Sequence, residues 1–174
     1  MNHADTSLIK GFGNWELYDA DGSLVESSEF SNLVTQNGNK YYAERAAGIS
    51  GAPDTVTGMK LGTGSTAVAT TSAGSYIATY LTNSNQITDV GWPVAAAGSG
   101  TSRRITYQCT FPAGKATTAS PITEAAIVND ALGAVTLAAP LATNTIARVV
   151  FATAIPSKSA LQTLVIVWNH DVGS

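Results

Sequence analysis

Charge is scarce in this chain. Only 12 % of its 174 residues are Asp, Glu, Lys or Arg, about half of the roughly 25 % found in an ordinary globular domain. There are two histidines and one cysteine. General acid–base and nucleophilic catalysis need titratable groups held together in a protected site. The histidines, His3 and His170, instead lie near the two chain ends, where order is least expected. The single Cys109 excludes an internal disulfide and fits synthesis in a reducing cytoplasm. No apolar run approaches the roughly 20 residues that span a bilayer, so no membrane partner is expected. Met1-Asn2-His3-Ala4-Asp5 has no basic region leading into an apolar stretch, so no signal peptide is expected either. A net charge of −3, with Arg103-Arg104 as the only adjacent basic pair, argues against nucleic acid as a partner.

What is present is small and β-prone. A length of 174 residues suits one domain, large enough to bury about 70 % of the unfolded chain's surface. A surface of Ala, Thr, Ser and Gly repels itself little and is cheap to desolvate, as a subunit contact requires. Trp15 and Leu17 alternate with Glu16 and Tyr18, and Asp21-Gly22 signals a tight hairpin turn. Thr35 is placed to cap a helix and Gly48 to stop it. Tyr42 and Ala46, like Tyr41 and Arg45, lie four residues apart, which predicts one short helix over 36–47. Residues 48–75 read as long loops around a strand at Thr57–Leu61, a type of segment that is usually functional or disordered.

The second half alternates more cleanly. Ile105, Tyr107, Cys109 and Phe111 alternate with Arg104, Thr106, Gln108 and Thr110, predicting a strand with one buried face. Cys109 falls on the apolar side as a small hydrophobe. Further strands are expected at 122–129, 146–151 and 161–168, with a turn at Asp130-Ala131-Leu132-Gly133-Ala134 between the first two. The last is apolar on both faces from Leu164 to Trp168, so it is central between layers or buried in a subunit contact. The predicted fold is mainly all-β: an antiparallel β-sandwich, jelly-roll-like. Residues 1–12 are expected to form a flexible N-terminal arm, and 13–174 a single β-sandwich domain with long loops around 48–75.

No stretch carries a recognisable chemistry. Gly62-Thr63-Gly64-Ser65-Thr66 lacks the lysine and spacing of a phosphate loop. Asp19-Ala20-Asp21-Gly22 lacks the later ligands of a calcium loop. His3 and His170 have no ligand cluster around them in sequence, and no Gly-x-Ser-x-Gly elbow occurs. Glu124 sits inside an apolar strand, where a carboxylate is costly unless paired; Arg104 and Arg148 are the candidate partners. No catalytic, cofactor-binding or metal-ligating residue is assigned, and no cofactor is expected.

Three phrases nevertheless stand in order: Asn32-Leu33-Val34-Thr35-Gln36-Asn37-Gly38; Leu61-Gly62-Thr63-Gly64-Ser65-Thr66; and Ile122-Thr123-Glu124-Ala125. Over roughly residues 13–168 this succession resembles small structural proteins of tailed bacteriophages, of the decoration, collar and tail-fibre type. The resemblance implies a β-sandwich subunit that assembles as an oligomer. It leads to a virion protein made in the bacterial host cytoplasm: a capsid decoration (cement) subunit that binds the major capsid protein and bridges capsomers as a trimer. Tyr41, Tyr80 and Trp92 are the candidate aromatic anchors, and Val165 and Val167 the candidate apolar contacts of the last strand. A tail, collar or fibre-base component is the alternative within that class. A carbohydrate-binding module would need an exposed platform made from Trp15, Trp92 and Tyr107, and a polymer hydrolase two carboxylates at catalytic separation.

Overall fold

The computed structural model describes residues 9–130, 132 and 142–173. Nine strands and one α-helix follow in the order β1 (Ile9–Tyr18), β2 (Leu24–Val34), α1 (Gln36–Ala46), β3 (Gly58–Gly62), β4 (Gln86–Ile87), β5 (Val94–Ala97), β6 (Arg103–Phe111), β7 (Ile122–Val128), β8 (Thr145–Ile155) and β9 (Thr163–Val172). Every pairing is antiparallel, and the spatial order is β4-β3-β7-β8-β2-β1-β9-β6-β5. The expected β-rich antiparallel class is therefore present. A jelly-roll sandwich does not emerge from these pairings, because β2 joins what would be two layers. Its residues Leu24 to Asn32 pair with β1, and Leu33 and Val34 pair with β8. The sheet stays continuous through that strand and curls into a half-barrel.

Local chemistry explains the first elements. Asp21 Oδ1 accepts from Ser23 N at 2.9 Å and from Ser23 Oγ at 2.6 Å, fixing the β1–β2 turn. Thr35 Oγ1 caps α1 by accepting from Gly38 N at 3.0 Å and donates to the Thr145 carbonyl of β8 at 2.5 Å. A Cβ on Gly38 would lie 2.1 Å from the Ile146 carbonyl oxygen, so only glycine lets the helix start this close to β8. The helix expected over 36–47 runs from 36 to 46 and ends against Gly48, whose φ is +63°.

Two boundaries differ from expectation. Ile9 to Phe12 belong to β1, in register with Val172 to Asn169, because β9 also extends past Trp168. The rest of the expected N-terminal arm lies outside the described residues. So does most of the expected turn at 130–134.

The inner face carries Trp15 and Leu17 from β1, Tyr107, Cys109 and Phe111 from β6, and Leu164, Ile166 and Trp168 from β9, all at most 2 % exposed. They meet Met59, Leu61, Ile127 and Val149 in one core. Phe30 sits edge-on to both Phe151 and Trp168, at 5.3 and 5.1 Å, a preferred aromatic geometry.

The segment from Gln86 to Ala97 spans the open side of the curl. It pairs with β3 through β4 and with β6 through β5. Between them, Asp89 N donates to the Gln108 carbonyl at 2.9 Å. The Asp89 carboxylate accepts from Thr110 N, Thr110 Oγ1 and Gln108 Nε2 at 2.9, 2.7 and 3.0 Å. Asp89 is thus the latch that holds one edge of the curl to the other. Asp89→Ala is expected to cost about 1–3 kcal/mol, the scale for lost charge-assisted hydrogen bonds, read as a lower urea midpoint. A change under 0.5 kcal/mol, about the scale of an ordinary surface substitution, rules the latch out.

Candidate functional site

A functional centre would leave a buried ionisable group poised and reachable. Glu124, in the middle of β7, is fully buried and paired with fully buried Arg148 of β8 at 2.6 Å. Its Oε1 also accepts from Gly64 N and Thr79 N, each at 2.9 Å, and its Oε2 from Ala78 N at 3.0 Å. Arg148 donates onward to the carbonyls of Gly74 and Thr66, at 3.0 and 2.9 Å. Of the two candidate partners, Arg148 is the one used; Arg104 binds Asp171. The pair sews the loop after β3 onto its own sheet. A Cβ on Gly62 or Gly64 would fall 2.6 or 2.5 Å from Glu124 Oε1, so both glycines clear space for that carboxylate.

A second buried group centres on His170, which is fully enclosed in β9 although it lies close to the chain end. Trp168 Nε1 lies 3.2 Å from His170 Nε2. Indole only donates, so Nε2 accepts and the imidazole proton sits on Nδ1. That proton points to Tyr42 Oη at 2.5 Å, and Tyr42 Oη lies 3.3 Å from Tyr107 Oη. Asn32 Nδ2 also lies 3.4 Å from Nε2. Burial pushes the imidazole pKa down to about 3 and, with the neighbouring Tyr107, drives the Tyr42 phenol far up. The network is neutral and ties α1 to β6 and β9. Sequence reasoning missed it because Tyr42 and His170 come together only through the topology.

Lys60, also fully buried, holds Asp130 Oδ2 at 2.5 Å and lies 5.7 Å from the Tyr80 ring centroid. Burial raises the Cys109 thiol pKa, and the Asp89 carboxylate adds to the effect, which keeps this sulfur a buried hydrophobe as expected. Among the described residues no group of three His, Cys, Asp or Glu side chains could hold a metal ion.

The outer face of β1, β9 and β6 is built differently. Register sets rows Glu16–Val165–Thr110, Asn14–Val167–Gln108, Phe12–Asn169–Thr106 and Lys10–Asp171–Arg104 across it. Arg104 grips Asp171 with bonds of 2.8 and 3.0 Å and lies 4.7 Å from the Phe12 ring centroid. Its guanidinium holds the Asp171 carboxyl below the usual carboxylate range. Val165 and Val167 form a half-buried apolar centre within this polar frame.

The five proposed contact residues are not one cluster. Val165 and Val167 share this face, and half-buried Trp92 sits beyond β6 on the edge of the same sheet. Tyr41 is only 9 % exposed, packed edge-on to Tyr42 at 5.0 Å. Tyr80 lies beside β3, bridged to Gly62. The residues needed for a sugar platform are also scattered: Trp15 and Tyr107 are 0 % and 2 % exposed. No protein-family model, curated protein or solved structure matches the chain.

Proposed function

We propose that this chain is a virion structural protein of a tailed bacteriophage, a decoration subunit that seats on the outer capsid shell and acts by contact alone. The observation that carries the reading is the contrast between interior and surface. Inside, Glu124, Arg148, Lys60 and His170 each have bonded partners within the fold. Outside, the chain offers a sheet face on which Val165 and Val167 sit among polar residues and charges of both signs, and an apolar edge around Trp92 and Val94. The three phrases behind the phage resemblance support it in a further way, since all of them serve the scaffold. The mechanism is mass action: a subunit that binds only the assembled shell stabilises that shell.

Attachment tests this. Purified full-length chain mixed with tailless, expanded shells of the encoding phage is expected to sediment with them, and to raise the temperature at which they rupture. Binding to tailed particles alone moves the chain to the tail or collar. Binding to neither overturns the virion reading.

A further inference from the structure

We infer that the side chains of Lys60 and Asp130 condense to an amide, a covalent cross-link between β3 and the end of β7. Lys60 stands opposite Ala126 in the β3–β7 ladder, and Asp130 follows the end of β7 by two residues. Lys60 Nζ lies 2.5 Å from Asp130 Oδ2, closer than the about 2.7–2.9 Å of an ordinary charge-assisted bond. The lysine side chain is 0 % exposed and the aspartate 11 %. Around Ala126, on the Lys60 side of the sheet, Ile77, Val128 and Leu132 complete an apolar cluster with Tyr80 packed against it.

Two buried ion pairs share this sheet face, and they are built differently. Glu124 has Arg148 and three backbone amides to hold its charge. Among the described residues the Asp130 carboxylate has Lys60 alone, and its Oδ1 is buried without a partner. The ammonium has three protons to place and, among the described residues, this one acceptor. Such sparse solvation makes two buried charges costly. Moving one proton along the short bond removes both. It leaves a neutral amine, the nucleophilic form of lysine, against a carboxylic acid.

The step then balances within the pair. The Nζ–Cγ bond forms and the Cγ–Oδ2 bond breaks. Of the three ammonium protons, one stays on the amide and two leave with Oδ2 as water; nothing is oxidised or reduced. The surroundings hold the reactants in place. Thr57 Oγ1 donates to the Asp130 carbonyl and Asn85 Nδ2 to the Leu132 carbonyl, both at 2.7 Å. Fixed contact of this kind lowers a condensation barrier by removing the entropy of encounter.

Tyr80 supplies the donor. Its ring centroid lies 5.7 Å from Lys60 Nζ, and its Oη is buried with no partner among the described residues. Burial raises the phenol pKa and the Asp130 charge adds to the effect, so the proton stays on Oη. That hydroxyl turns to stabilise the negative charge developing on Oδ1 during attack. The product encloses residues 60–130 in a covalent loop, which constrains the unfolded chain as a disulfide does. This chain, with one cysteine, has no internal disulfide to do so. The cross-link goes beyond the capsid reading and is measured on the isolated chain, so neither depends on the other.

Electrospray mass spectrometry of the full chain is expected to give its sequence mass less one water molecule. Trypsin does not cut after an acylated lysine, so digestion is expected to leave 46–103 joined to 116–148. Asp130→Ala is expected to restore the full sequence mass and the separate peptides 46–60 and 61–103. Tyr80→Phe keeps the ion pair and is expected to slow the loss of water after cell-free synthesis by about tenfold or more, as removal of an oxyanion donor does. The wild-type digest decides the matter even if Asp130→Ala fails to fold. A wild type at full mass after prolonged incubation overturns the proposal. So does a lost water with 46–60 and 61–103 still separate, which would place the dehydration elsewhere, as in a cyclic imide at Asp21-Gly22. Equal rates in Tyr80→Phe and wild type overturn the part given to the phenol.

Discussion

Arg148→Met is expected to lower the unfolding free energy by about 3–5 kcal/mol, the usual consequence of removing one member of a buried ion pair. Domains of this kind are stable by only about 5–15 kcal/mol, so the variant sits near the edge of folding at growth temperature. Glu124 keeps its three backbone donors, from Gly64, Ala78 and Thr79, but loses the guanidinium charge that neutralises it. The carbonyls of Gly74 and Thr66 lose their guanidinium donors as well. Arg148→Lys is expected to fall between, since it keeps the charge without the planar fork. Urea denaturation measures both. Limited proteolysis adds a local readout, because cleavage between residues 63 and 80 is expected to accelerate more than cleavage elsewhere. A loss below about 1 kcal/mol, the scale of an exposed ion pair, contradicts the central role given to this group. The double variant Glu124→Gln, Arg148→Met is expected to recover little, because the three amides still need a strong acceptor.

The same cluster shows what can be read from the residues and what cannot. Signals confined to a few neighbours survive into the fold: Asp21-Gly22 makes its turn, Thr35 caps its helix, and Cys109 faces the core of β6. Glu124 is recognisable as a buried carboxylate in need of a cation, because an acid inside an apolar strand is costly. That its amide donors come from Gly64, Ala78 and Thr79 is not recognisable, since only the loop path brings them in. The short strands β4 and β5 escape sequence reasoning for a different reason. Val94-Ala95-Ala96-Ala97 neither alternates nor is rich in β-branched side chains, and it becomes a strand because β6 offers it an edge. The continuous sheet escapes it because it depends on β2 changing partners after Asn32. The phage-like phrases now have individual physical meanings. Thr35 and Gly38 seat the helix on β8, Gly62 and Gly64 open space for Glu124, and Thr123 Oγ1 bonds the Gly64 carbonyl at 2.7 Å. They specify a scaffold. The exposed strand β5 and the Val165–Val167 face lie outside all three, so chains sharing the phrases are free to differ at these surfaces.

Acidification is expected to destabilise this protein through His170. The imidazole has an ordinary pKa of 6.5 and is held down to about 3 by burial. Between those values the unfolded chain binds a proton that the folded chain excludes, so stability rises with pH there. The full contribution is present above pH 6.5, drains away as pH falls, and is exhausted near pH 3. Each pH unit across that window is worth about 1.4 kcal/mol. The whole window therefore amounts to at most about 5 kcal/mol, of which about 2–3 kcal/mol is already lost by pH 4.5. The burial cause has a clear structural basis. Trp168 Nε1 aims its hydrogen at Nε2, so a second imidazole proton would face another donor, with Asn32 Nδ2 close by and no carboxylate among the network's bonded partners. Asp171 and Asp21, whose carboxyls are held below their ordinary pKa of 3.8 by Arg104 and by Ser23, contribute their losses at lower pH. His170→Gln takes up no proton and can still accept from the indole. Its unfolding free energy is expected to be lower at pH 7 but nearly flat between pH 6.5 and 4.5, where the wild type declines. Parallel declines in the two proteins over that interval would place the acid sensitivity elsewhere and leave the Tyr42–His170–Tyr107 network with a packing role only.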